Sequence, residues 1–332
     1  MRLRTYLKHL AAGLGLTLIA CTAAQGATPL RVGYWSSGVS LGFGALLEAQ
    51  QSFQKAGFDV EFVRFPDVTG PNKAIAGNAI DLAFGAALAG AYNMAIEGVP
   101  IKIVLATQVM DAVFAVPADS PIQSVADLRG KKVGMSPVGS TTTAAATSML
   151  QANYGIGPKD FSLVPGNESR LVQFVMQKDV DASVLRSLTV AQLGDDAKKL
   201  RIIGRFDREW KAMTKSDSLP YIGAAIVRDE WLAKYPDAAP RMIAAMRQTL
   251  DYGASHPDEV IGALKKAANM PDVGARFYAD NWLAMNAVTF EPSDLDTLKR
   301  TFEIFKAGGL VKGDLPDGLF VTGPYAKSKE AQ

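Results

Sequence analysis

Residues 133–147 read VGMSPVGSTTTAAAT, an apolar strand that passes through glycine, proline and hydroxyls into a stretch of alanine. Gly139 lets the backbone approach a ligand closely, Ser140 stands where a helix N-cap belongs, and Thr141 and Thr142 add hydroxyls to the first turn. A helix starting there aims its free N–H groups and the positive end of its dipole beyond the strand. The stretch predicts a strand, a loop and a helix N-terminus suited to a small anion, with Ser136, Gly139, Ser140, Thr141 and Thr142 as candidate ligand residues.

A second copy of the layout lies upstream. Val32-Gly33-Tyr34 followed by Ser36-Ser37-Gly38 matches Val133-Gly134-Met135 followed by Ser136 and Gly139-Ser140, and Ile80-Asp81-Leu82-Ala83 matches Val180-Asp181-Ala182-Ser183. Both pairs are offset by about a hundred residues, which points to two similar lobes rather than one sheet.

Around these anchors short apolar runs alternate with amphipathic ones, which predicts α/β lobes with mixed, mainly parallel sheets flanked by helices. Strands are expected at LRVGYW, FDVEFVRF, DLAFG, IKIVLATQ and AVFAVP, and helices at LGFGALLEAQQSFQKAG, which Gly57 closes, and over 89–97. Residues 111–135 read as a crossing into the second lobe, and KAMTKSDSLPY before IGAAIV as the return, so two segments form a hinge. The expected division is residues 27–113 and 219–332 for the first lobe and 114–218 for the second, with the helical C-terminal part packed back on the first. At 332 residues the chain is long enough for two such cores.

Composition removes several function classes. The net charge of +2 arises from 35 basic and 33 acidic residues without a basic run, so no nucleic-acid partner is expected. Cys21 is the only cysteine, and the two histidines are His9 and His256. A thiolate cluster, a histidine zinc site and a Ser-His-Asp triad therefore have no basis, and neither a metal nor a cofactor is expected. The phosphate loops GxxxxGK[ST] and GxGxxG are absent at the first strand, which argues against a nucleotide.

Residues 1–26 carry Arg2, Arg4 and Lys8 before an apolar stretch from Leu10 to Ala20 and then small residues, the pattern of an export signal with cleavage after Gly26. Leu18-Ile19-Ala20-Cys21 also fits a lipobox, which would lipidate Cys21. Both readings place the protein outside the cytoplasm, in the periplasm.

Ligands of open parallel sheets sit beyond the carboxyl ends of the strands. There Trp35 adds an aromatic face beside Ser36, Ser37 and Gly38, and Gly85, Ala86 and Ala87 leave room. Arg186 follows an apolar strand and offers a fork for a carboxylate or sulfonate.

The stretches KAIAGNAIDLAFG, GVPIKIVLATQ, SVADLRGKKVGMSPVGSTT, DVDAS and IGAAIVRDEWLAKYP make the chain resemble periplasmic substrate-binding proteins of ABC importers for taurine, aliphatic sulfonates and nitrate. The resemblance spans nearly all of the chain after the signal. It implies a two-lobe, type II-like binding-protein fold that closes on a ligand and docks on an inner-membrane permease. It also implies that Gln108 and Tyr221 join the loops named above, as does the end of the DVDAS strand. Taurine binders tend to carry Trp-Asp where this chain has Arg186-Ser187, and serines where it has Ala86-Ala87-Leu88. Both departures suggest an anion without an ammonium group and with a more apolar body.

The expectation is a monomeric binding protein without chemistry of its own, since each lobe buries its own core and no heptad seam is present. The alternatives are a thiamine-pyrimidine-precursor binding or synthesis protein of the same fold, whose chemistry spends a histidine, and a sensor that presents its ligand to a receptor.

Overall fold

The computed structural model describes residues 26–216 and 220–330. Residues 1–25 of the expected export segment, with its lipobox at Cys21, and residues 217–219 of the return crossing lie outside the described residues.

Among the described residues eleven strands form two sheets. The first contains β1 (Thr28–Trp35), β2 (Phe58–Phe65), β3 (Leu82–Ala87), β4 (Ile101–Val109), β10 (Tyr221–Arg228) and β11 (Asn286–Thr289), in the order β11-β4-β10-β3-β1-β2. The second contains β5 (Ala112–Pro117), β6 (Lys132–Met135), β7 (Ser162–Pro165), β8 (Ala182–Arg186) and β9 (Leu200–Arg205), in the order β7-β6-β8-β5-β9. Apart from the edge strand β11, the two orders are one topology used twice. β2-β1-β3 corresponds to β7-β6-β8, and a strand arriving from the other lobe is inserted next to β3 or β8.

The expectation of mainly parallel sheets is corrected here. Among the described residues five of the nine strand pairings are antiparallel. β1, β3, β6 and β8 run toward the junction between the lobes, whereas β5 and β10 start at it and must run away. Each crossing strand is therefore antiparallel to both of its neighbours. The sheet changes between Val109 and Ala112, so Ala112 and Val113, expected in the first lobe, are paired in the second sheet.

The repeat seen in the sequence has a physical basis. Asp81 gives its N–H to the Arg31 carbonyl at 2.8 Å and takes the Arg31 N–H on its carboxylate at 3.0 Å. Asp181 does the same with Lys132, at 2.9 and 2.8 Å. Each aspartate fixes the start of a parallel pair, so Val32 faces Leu82 as Val133 faces Ala182.

The predicted helix from Leu41 to Gly57 is two helices, Gly38–Ala49 and Ser52–Lys55, because Gln51 takes a left-handed backbone with φ +52°. The first ten residues of Gly38–Ala49 are buried, and its Phe43 lies 5.7 Å from the Phe84 ring of β3 and 5.6 Å from Trp282. Truncating a side chain of such a stack typically costs about 3–5 kcal/mol. Trp282 thus ties the C-terminal helices to the first lobe, as do the Trp231 indole, which donates to the Pro29 carbonyl at 3.1 Å, and the Tyr278 hydroxyl, which donates to that of Val39 at 2.7 Å. The C-terminal helices also reach the second lobe, where a side chain on Gly274 would meet Gln192.

Candidate functional site

The carboxyl ends of β1, β3 and β4 oppose those of β6 and β8, and a chamber lies between them. The first lobe lines it with Trp35, Val39, Val68, Gly85, Ala87, Gln108 and Ile222, and the second with Ser140, Thr141 and Arg186. One wall is thus mostly apolar and the other carries hydroxyls and a cation. The lobes meet closely around it: the Ala89 N–H donates to the Thr141 hydroxyl at 3.2 Å across the junction. Room for the centre of a water-sized sphere is about 10 Å³, so an organic ligand requires the lobes or side chains to give way.

The polar wall follows from the opening stretch. Thr141–Tyr154 is a helix of 14 residues with Ser140 at its N-cap, but the Ser140 side chain does not cap it. Instead the Thr143 hydroxyl donates to the Ser136 carbonyl at 2.7 Å and braces the loop, in which Gly139 has φ +96°. The buried Ser140 and Thr142 hydroxyls consequently have no hydrogen-bond partner. Leaving such a group unmet inside a protein costs about 1–3 kcal/mol.

Arg186 is the only cation among the described residues that line the chamber, and it is 4% exposed. Its Nε and one terminal nitrogen lack a hydrogen-bond partner. Glu168 stands behind it, with Oε1 at 3.5 Å from Nε, an ion pair outside hydrogen-bond geometry. Burial pulls the Arg186 guanidinium down, opposed by Glu168 and Asp111. A buried guanidinium with free N–H groups beside a free hydroxyl and a helix N-terminus can accept an anion through charge-assisted bonds.

The apolar wall depends on close backbone approaches. Gly85 has φ +61°, and a Cβ there would lie 2.5 Å from the Ser40 hydroxyl and 2.6 Å from the Gln108 amide nitrogen. Those two side chains are bonded to each other, Gln108 Nε2 donating to Ser40 Oγ at 2.8 Å. Asn72 holds Ala87 on both backbone groups, at 2.9 and 3.0 Å.

Of the expected residues, Trp35, Gly85, Ala87, Gln108, Ser140, Thr141 and Arg186 come together at the chamber. Ser36 is turned to the Phe65 carbonyl, Ser37 is the N-cap of Gly38–Ala49, and Gly38 backs the Trp35 ring, where a Cβ would come within 2.5 Å. Ala86 is in the core, and Ser136 and Gly139 shape the loop. Tyr221 does not line the chamber: its hydroxyl donates to Asp294 at 2.6 Å. Ser187 faces a larger cavity of about 480 Å³ beside the crossing, where it donates to Asp111. The charged groups of that cavity already have partners, since Arg205 and Asp207 also pair at 3.2 Å, and this separates it from the chamber. Sequence reasoning missed Val39, Val68, Ile222, Ser40, Asn72 and Glu168. His256 is exposed, stacked on Tyr252 at 4.0 Å between the helices Ala238–Ser255 and Pro257–Ala268, and does not line the chamber.

Two α/β lobes joined by two crossings, with a chamber at their junction, make the periplasmic-binding-protein fold. The chain belongs to the NMT1/THI5-like family, whose model matches residues 45–260. It is 27% identical to a Brucella abortus protein carried under the provisional name of binding protein, over 99% of this chain and 100% of that one. A Haemophilus influenzae protein provisionally named for thiamine biosynthesis is 26% identical over 77% of this chain and 78% of its own. Among solved structures, the alkanesulfonate-binding protein of Xanthomonas axonopodis pv. citri bound to MOPS superimposes with a TM-score of 0.75 at 16% identity, covering 89% of this chain and 99% of that one. A desulfurization enzyme shares the fold with a TM-score of 0.65 at 14% identity, covering 92% of this chain and 99% of its own.

Proposed function

We propose that the protein is the extracytoplasmic solute-binding component of an ABC importer, capturing a small, sulfonate-like organic anion between its lobes and delivering it to a permease. The observation that carries this reading is Arg186, a buried guanidinium with unmet N–H groups beside the unmet Ser140 hydroxyl at a helix N-terminus. The opposite wall of Trp35, Val39, Val68 and Ile222 suits an apolar body. Ligand bridging the two walls would favour the closed population, the form a permease or a receptor would recognise. The anion named for the Xanthomonas protein has the same chemistry.

A thiamine-precursor reading is favoured by the Haemophilus relative's name and by the aromatic edge that Trp35 gives the chamber wall. A neutral aminopyrimidine would offer Arg186 ring-nitrogen acceptors but no negative charge. A thermal-shift series with alkane- and arenesulfonates, taurine, nitrate, carboxylates and the aminopyrimidine, repeated with Arg186→Ala, separates the two. Sulfonate stabilisation that vanishes in the variant supports the anion reading, and stabilisation by the pyrimidine alone rejects it.

A further inference from the structure

Among the described residues the chamber has one cation, and that cation is already faced by an acid. Glu168 opens the helix Glu168–Met176 and is 6% exposed. Its carboxylate accepts the Thr189 hydroxyl at 2.7 Å and the Arg186 backbone N–H at 3.4 Å, and Oε1 lies 3.5 Å from Arg186 Nε. Asp111, bonded by Ser187, is a second acid whose field reaches Arg186. The other polar groups at the chamber, Ser140, Thr141 and Gln108, are neutral. Neutral donors can solvate a negative charge but cannot cancel it, and a buried charge without a counter-charge is costly.

We infer that Glu168 sets the charge that the site accepts, limiting ligands to monoanions and rejecting dianions of the same shape. This rests on the anion-binding reading above and refines it. Arg186 supplies one positive charge, and Glu168 holds it in place from behind while offsetting part of its field. A sulfonate or carboxylate brings one negative charge to that face. A fully ionised phosphonate brings a second, which meets Glu168 across the guanidinium with nothing to balance it.

Phosphonates provide the test because their second ionisation changes charge without changing shape. Titration calorimetry on the purified protein would compare propane- and benzenesulfonate with propyl- and phenylphosphonate, across the pH range in which the phosphonate loses its second proton. The expected result is a sulfonate affinity that stays level while the phosphonate affinity falls by at least about tenfold, or about 1.4 kcal/mol. In Glu168→Gln the sulfonate should still bind and the gap between the two anions should shrink. A phosphonate dianion that binds wild type as tightly as its monoanion overturns the inference whether or not the variant folds. A folded variant with an unchanged gap overturns the role of Glu168. If no sulfonate and no phosphonate binds at any pH, the anion reading itself falls and this inference falls with it.

Discussion

The Arg186 guanidinium of the second lobe lies 5.8 Å from the centre of the Trp35 ring of the first. An aromatic face attracts a cation without using its N–H groups, so this contact helps join the lobes and leaves the donors free. Replacing Trp35 by phenylalanine keeps an apolar wall but weakens the attraction by about 1 kcal/mol. Anion affinity should fall by roughly fivefold, and the change in tryptophan fluorescence on binding should be lost in a titration that still shows binding by calorimetry.

Arg186 and Glu168 should behave as a coupled pair in stability. Arg186→Met removes the buried cation and strands the Glu168 carboxylate, at an expected cost of about 3 kcal/mol, while Arg186→Met with Glu168→Gln should recover most of it. Urea denaturation of the four proteins of the cycle checks this, and strictly additive costs would contradict it.

Gly85→Ala places a methyl against Ser40 and Gln108 at a residue with φ +61°. Backbone strain of this kind costs about 1–3 kcal/mol, and the clash adds to it. Both a lower melting temperature and weaker anion binding are expected, whereas Gly262→Ala, with nothing within 4 Å, should lower neither.

Asp111 gives the protein a stability that depends on pH. Burial, its largest influence, pushes its carboxyl above the ordinary 3.8, helped by Asp207 and opposed by the Ser187 hydroxyl, Arg186 and Arg205. The unfolded chain releases this proton near 3.8 and the folded chain only at a higher pH, so stability falls as pH rises through that interval. Asp111→Asn, whose amide oxygen still accepts from Ser187, should gain on wild type in paired melting curves as pH rises above 3.8, until the folded carboxyl has also ionised. A gap that narrows with pH would contradict the assignment.

The two repeat aspartates should differ in weight. Asp81 also takes Arg31 Nε at 3.0 Å and its terminal nitrogen at 2.7 Å, whereas the Asp181 carboxylate, among the described residues, takes the Lys132 backbone N–H alone. Asp81→Ala is expected to cost about 2–3 kcal/mol and Asp181→Ala about 1 kcal/mol, measured by urea denaturation.

These aspartates also explain what could be read in advance. A carboxylate that fixes the start of a parallel pair is a local device, repeated wherever the device is used, so Asp81 and Asp181 revealed the two lobes. The antiparallel crossing strands were not legible, because nothing in Tyr221–Arg228 records that its neighbours are β3 and β4, more than a hundred residues earlier. At the site, glycines and hydroxyls at strand ends marked Gly85, Ser140 and Thr141, and the cation after an apolar strand marked Arg186. Glu168 is a first-turn acid after the Asn167 cap, a commonplace pattern in sequence, and only its burial distinguishes it. Ser40 did leave a signal as a lone hydroxyl near the start of the apolar helix GVSLGFGALLEA. Tyr221 and Ser187 sit next in sequence to chamber residues Ile222 and Arg186, but alternation along a strand and the turn into a helix send them elsewhere.

The inserted strand also sets an order of assembly. Every strand of the second sheet lies between Ala112 and Arg205, whereas the first sheet receives β10 only from Tyr221 onward and β11 from Asn286. As the chain emerges from a ribosome or a translocation pore, β3 and β4 wait with open edges facing the gap that β10 will fill, while the strands of the second sheet become available together. The lobe whose synthesis begins first is the one whose sheet is completed last.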